Sequence, residues 1–299
     1  MKKIFIFFIA LYFCVVQNTS ADQYQPYVVG QIVEQSISVG KGKYNIPLPQ
    51  GKFTVIATHK SREKSSNAIQ MYDLGLASFK GKVLDKSVNI RFSKPISTWW
   101  EVPKNCKRDN LYFYKRYIKG RAFSCWFVNH NTMQLTSDKI KSKSYYGKVK
   151  QYIIDNGIIL PNIAVYSEHI YSSPRHKNVY FQVRYFENPE ISGVPKAESK
   201  TWAQSEYQPT KIFAHPKKKA FMEDYIIKSA QYQRNFEIGI NMHPDHRLDT
   251  SMAVKKQTLE NAKPKSNMVN ELSDLNKLYK SGALSKEEFE KAKKQILSK

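Results

Sequence analysis

The chain has 299 residues, 41% apolar and 13% aromatic, with a formal net charge of +23. That is ample for a packed core, and it leaves about 230 residues between the two termini for one large domain or two small ones. The basicity implies attraction to anionic partners, namely phospholipid or lipopolysaccharide head groups, polyanions or an acidic protein; compositional drift in a Lys-, Ile- and Asn-rich proteome accounts for it equally well.

Met1-Lys2-Lys3 is a short basic start, and Ile4 to Val16 is an unbroken apolar run. Thr19-Ser20-Ala21 then supplies small residues for signal peptidase. The reading is a secretory signal peptide over residues 1–21, cleaved near Ala21, and a periplasmic or secreted product. The run falls short of the ~20 residues that a spanning helix needs, and an uncleaved N-terminal anchor is the alternative. Cys14 follows bulky Phe13, which argues against a lipidated cysteine. A periplasmic setting also removes nucleic acid from the expected partners.

Residues 22–240 read as one α+β domain, rich in antiparallel sheet with about two packed helices. Strand patterns fall at Tyr27–Glu34, Lys52–Thr58, Ile69–Phe79 and Val83–Ser93. Their hairpin-length spacing suggests a meander that Pro95 ends. Trp99-Trp100 lies in a loop and offers two anchors. Leu111–Ile118 and Ala122–Val128 are aromatic strands around Lys119-Gly120. Ser137-Asp138 is a cap for a helix running to Asp155, where Asn156-Gly157 stops it. Ile158–Tyr171 and Val179–Phe186 form a hairpin. Asn188–Thr210, with its prolines, is irregular, and Lys217–Ile238 is a second helix with Phe221, Tyr225, Ala230 and Phe236 inward. From Asn241 to Asn270 the periodicity fades, and the segment reads as a flexible linker.

Cys106 and Cys125 remain once the signal is removed. An oxidising compartment and an even count favour a disulfide between them. The competing reading, a catalytic thiol, lacks a C-x-x-C or a known nucleophile motif. Around these cysteines cations crowd: Lys104, Lys107, Arg108, Lys115, Arg116, Lys119 and Arg121, with Tyr112 and Tyr114 interleaved. Aromatic rings beside cations suit head-group, sugar or polyanion contact; an ordinary amphipathic hairpin with a solvated charged face gives the same pattern. Further lysines sit at Lys217-Lys218-Lys219 and at Lys139, Lys141, Lys143, Lys148 and Lys150.

Catalytic motifs are missing. There is no G-x-S-x-G elbow, no Walker loop and no G-x-G-x-x-G after a strand. His243-Pro244-Asp245-His246 has a ligand-like spacing, but Pro244 spoils helical presentation and a third ligand is lacking. No metal and no cofactor are expected. A dispersed active site would have to gather His130, His169 or His215 with carboxylates in a deep pocket.

Residues 271–299 carry the sharpest pattern. Leu272, Leu275, Leu278 and Tyr279 are at helical spacing, Gly282 ends that helix, and Ser285 with Glu288 forms a capping box for the next. Leu284, Phe289 and Ile296 add apolar positions. The product is a two-helix hairpin too small for its own core. Leu275-x-x-Leu278, Gly282-Ala283-Leu284-Ser285, Glu287-Glu288-Phe289 and Ala292-Lys293-x-x-Ile296-Leu297 make this tail similar to the SHOCT (short C-terminal) domain family, which covers about a tenth of the chain. The resemblance implies no catalytic residues, and a role in self-association or in docking another envelope protein. Together these readings give an exported, non-enzymatic interaction protein as the leading expectation. An exported hydrolase is the rival, and a periplasmic chaperone or assembly factor is a third reading.

Overall fold

A computed structural model describes residues 22–62, 69–108, 110–133, 141–199, 201–251, 275–276, 279 and 285–297. The expected leader at 1–21, the expected Ser137-Asp138 cap, Lys139 and residues 252–270 of the expected linker lie outside these, as do Leu272, Leu278, Gly282, Leu284 and the side chain of Ile296. The strands are β1 Ile32–Val33, β2 Ser36–Val39, β3 Tyr44–Pro47, β4 Phe53–Arg62, β5 Gln70–Lys80, β6 Val83–Ser93, β7 Phe113–Lys119, β8 Ala122–Thr132, β9 Ile163–Ser172 and β10 Tyr180–Glu187. The helices are α1 Tyr145–Asp155, α2 Pro216–Gly239 and, in the tail, α3 Lys286–Leu297. The class is therefore α+β around a large antiparallel sheet. None of the helices among the described residues is long and apolar enough to cross a membrane.

Eight strands form one sheet in the order β1-β4-β5-β6-β10-β9-β8-β7, and β2 and β3 make a separate hairpin. The sheet is two meanders joined at their ends. After β6 the chain crosses to the far edge, starts again at β7 and folds back until β10 pairs with β6, Val183 opposite Ile90. Two tight turns make this possible. Lys80 pairs with Val83 around Gly81, and Lys119 pairs with Ala122 around Gly120, both glycines at positive φ. Such two-residue turns match the twist of the strands and need that backbone conformation.

Alternation along the strands gives the sheet two apolar faces. On the first, Tyr72, Leu74, Val88, Ile90, Val183 and Tyr185 pack under the β2–β3 hairpin and the end of α2, with Phe236 and Ile240. Trp126, Val128 and Val165 continue that face under Met222, Tyr225 and Ile226 of α2. On the second face, α1 covers Ile56, Ala77 and Leu84 through Tyr145 and Val149. The 94–112 crossover covers Phe123, Phe127 and Ile170 through Cys106 and Leu111.

Several boundaries differ from the sequence reading for physical reasons. The first strand shrinks to Ile32–Val33 because Gly30 and Gln35 both take positive φ and turn the chain. Helix α1 starts at Tyr145, with Ser144 as its cap: its hydroxyl accepts from the Gly147 amide at 3.0 Å. The segment after α2 is not free where it begins. Met242, His246 and Leu248 are buried on the domain, and the Leu248 amide donates to Glu237 at 2.8 Å. The domain therefore extends to about Thr250.

Candidate functional site

Cys106 and Cys125 are joined in a disulfide, with Cα atoms 5.7 Å apart. The bond staples a short 3-10 turn, Lys104–Lys107, onto β8, and leaves Lys104 and Lys107 exposed. The edge strand β7 then splits the remaining cations between its two sides. Tyr114 and Arg116 stand opposite Phe127 and Cys125 on the second face, whereas Lys115 pairs with Trp126 on the first. Among the described residues, none of Lys104, Lys107, Arg108, Lys115, Arg116, Lys119 and Arg121 lies within 4.0 Å of a carboxylate.

Each of the three arginines sits over an aromatic ring. Arg116 is 5.8 Å from the Tyr114 ring, Arg108 is 5.7 Å from Trp202, and Arg121, in the β7–β8 turn, is 3.8 Å from Trp99. Trp99 is 52% exposed, so of the two tryptophans only Trp100 is an anchor; its indole donates to the Asn178 carbonyl at 2.8 Å. Tyr112 is not part of this surface. It is buried against His130, because it precedes β7 on the packed side of the chain.

Between α1 and the crossover, the second face of the sheet has a gap. There the inward positions are polar, and they form a groove of about 330 Å³. Asp73, Asn89, Arg91, Gln182 and Arg184 come from three strands, and register alone unites them: Asp73 opposes Arg91, and Asn89 opposes Arg184. The groups are held in place. Glu168 is fully buried and pairs with the Arg184 Nε at 2.8 Å; it also accepts from Gln182 and, at 3.4 Å, from Asn105 of the crossover. Burial opposes the charge on Arg184, yet the adjacent Glu168 carboxylate holds its pKa above the ordinary value. Asn89 accepts from the Tyr145 hydroxyl at 2.9 Å. His59 at the rim has its pKa lowered, by burial first and then by Lys148 and Arg91. None of this was visible in the sequence, where each residue is merely the polar half of an alternating strand.

His130, His169 and His215 are not brought together in one pocket. His169 lies on the first face beneath α2, fully buried, its ring nitrogens 2.6 Å from Gln233 Oε1 and 2.9 Å from Ser167 Oγ. Burial brings its pKa down to about 3. The Ser167 hydroxyl is fully buried as well, so this serine–histidine pair has no route to a substrate. His130 is buried against Trp202, rings stacked 5.7 Å apart, and burial lowers its pKa to about 4. His215 is elsewhere, at the start of α2. His243 and His246 join His176, which the sequence did not place with them. The Tyr171 hydroxyl meets His176 at 2.8 Å and His246 at 3.2 Å, and Arg175 meets His243. Among the described residues, no group of three His, Cys, Asp or Glu side chains is placed to hold a metal ion.

In the tail, the capping box forms as the spacing predicts. The Ser285 amide donates to Glu288 at 2.9 Å, and the Glu288 amide donates to the Ser285 hydroxyl at 3.3 Å. Phe289 is only half-buried and stacks on Tyr279 at 4.7 Å, while Leu275 is buried.

Residues 270–297 match the family model of the short C-terminal domain, SHOCT. No curated protein matches the chain. Among solved structures, a possible transcriptional regulator, YydK from Bacillus subtilis, is 9% identical with a TM-score of 0.24, over 46% of this chain and 58% of that one. A superposition that poor carries no argument about this chain.

Proposed function

We propose that the chain is an exported interaction protein of the envelope, cleaved near Ala21, and not a catalyst. Its body meets an anionic surface through the β7 edge. Its SHOCT segment forms a two-helix hairpin that associates with a second copy or docks an envelope protein. One observation carries the reading of the body: among the described residues, the seven cations on and around β7 have no carboxylate within 4.0 Å, and three of them are backed by aromatic rings. Cations left unpaired in this way attract anionic head groups over about a Debye length, ~10 Å at 0.1 M salt. The buried Ser167–His169 pair gives no support to the rival reading of an exported hydrolase.

The test is co-sedimentation of residues 22–299 with vesicles of phosphatidylglycerol and phosphatidylcholine. Binding that requires phosphatidylglycerol, weakens with salt and falls at least fivefold in R116E/R121E supports the reading. Binding that is absent, or equal on phosphatidylcholine alone, overturns it. Salt-sensitive binding to an anionic polysaccharide in place of vesicles would reassign the partner.

A further inference from the structure

The groove on the second face differs from the basic edge in one decisive respect: its charges are compensated. Arg91 lies 3.6 Å from Asp73, and Arg184 lies 2.8 Å from Glu168. An anion entering the groove would therefore compete with a carboxylate already in place. A neutral ligand with many hydroxyls would not. Each hydroxyl both donates and accepts, and the groove offers both kinds of partner already fixed in position.

The fixing is specific. Asn89 uses its oxygen on Tyr145, which leaves its amide hydrogens for a ligand. Gln182 uses its amide nitrogen on Glu168, which leaves its oxygen as an acceptor. Arg184 binds Glu168 through Nε and Nη2 and the Tyr146 hydroxyl through Nη1 at 3.2 Å. Groups held in this way lose little rotamer freedom on binding. Tyr146 stays 44% exposed at the wall, and its ring is braced edge-on against Tyr145, 5.1 Å away. A partly exposed tyrosine braced beside a row of amide, carboxylate and guanidinium groups suits a pyranose, whose C–H face is apolar and whose rim is hydroxylated. The volume of about 330 Å³ lies at the small end of ligand cavities, ~300–1,000 Å³.

We infer that this groove is a binding site for a neutral sugar unit, separate from the anionic-partner edge. The reading stands whether or not the β7 edge meets a membrane.

Saturation-transfer NMR on residues 22–299 tests it, with methyl β-glucopyranoside and cellotriose as probes and sodium acetate as the anionic competitor. The inference requires a saturable signal from a probe sugar that survives equimolar acetate and falls at least tenfold in both Q182A and Y146A. Thermal melting checks that each variant is folded, and the exposed Tyr146 position keeps the test valid if Q182A is not. A stronger signal from the trisaccharide assigns the groove to a chain, and one from the glucoside assigns it to a free sugar. No saturable signal from either probe, displacement by acetate, or a signal unchanged in folded Y146A overturns the inference.

Discussion

The carboxylate of Glu168, with no exposed side-chain surface, lies 2.8 Å from the guanidinium of Arg184 directly across the β9–β10 pair. Asn105 and Gln182 satisfy the same carboxylate, so one buried charge ties the crossover to the central strands. Removing one partner of a buried pair strands the other, at a cost of about 3–5 kcal/mol. Arg184→Met should therefore lower unfolding stability by about that much, and the double variant R184M/E168Q should recover most of it. Urea denaturation of the three proteins checks this. A single-variant loss below ~1 kcal/mol would show that the pair holds little of the fold together.

The disulfide closes a loop that contains all of β7 and the start of β8. With a sequence separation of 19, chain entropy assigns it about 3 kcal/mol. The double variant C106S/C125S should lose roughly that stability, and dithiothreitol should lower the melting temperature of wild type but not of the variant. Equal melting with and without reductant would argue against the bond.

Acid should destabilise the domain through its buried imidazoles. His169 and His130 have folded pKa values of about 3 and about 4, below the ordinary 6.5. The unfolded chain therefore binds protons more readily between those values and 6.5. Stability is full above pH 6.5 and falls as pH drops toward 4, by about 1.4 kcal/mol per pH unit for each histidine. His169→Gln should remove about half of that slope in denaturation curves taken across the range. A slope unchanged by the substitution would mean that His169 is not buried in its neutral form.

Much of the sheet was legible because strand chemistry is local. Val83–Ser93 alternates visibly, Gly81 and Gly120 mark the tight turns, and Ser285 with Glu288 announces α3 by spacing alone. The groove was not legible. Asp73, Asn89, Glu168 and Arg184 belong to four strands, and only register, together with the gap between α1 and the crossover, brings them face to face. Tyr112 misled because it lies within a cation-rich stretch, yet Leu111, Tyr112 and Phe113 are all buried. Met242 and Leu248 were hidden for a different reason. They pack as isolated apolar residues with no period, so nothing local separates them from a linker.

Association through the tail is the central claim, and the molar mass of residues 22–299 and 22–270 by size-exclusion chromatography with light scattering tests it most directly. Measured at low and high salt, the longer protein should be oligomeric at both, since the apolar interface that the proposal requires is not screened, and the shorter one monomeric. Two monomers at both salts would contradict self-association and leave the SHOCT segment to dock on a different protein.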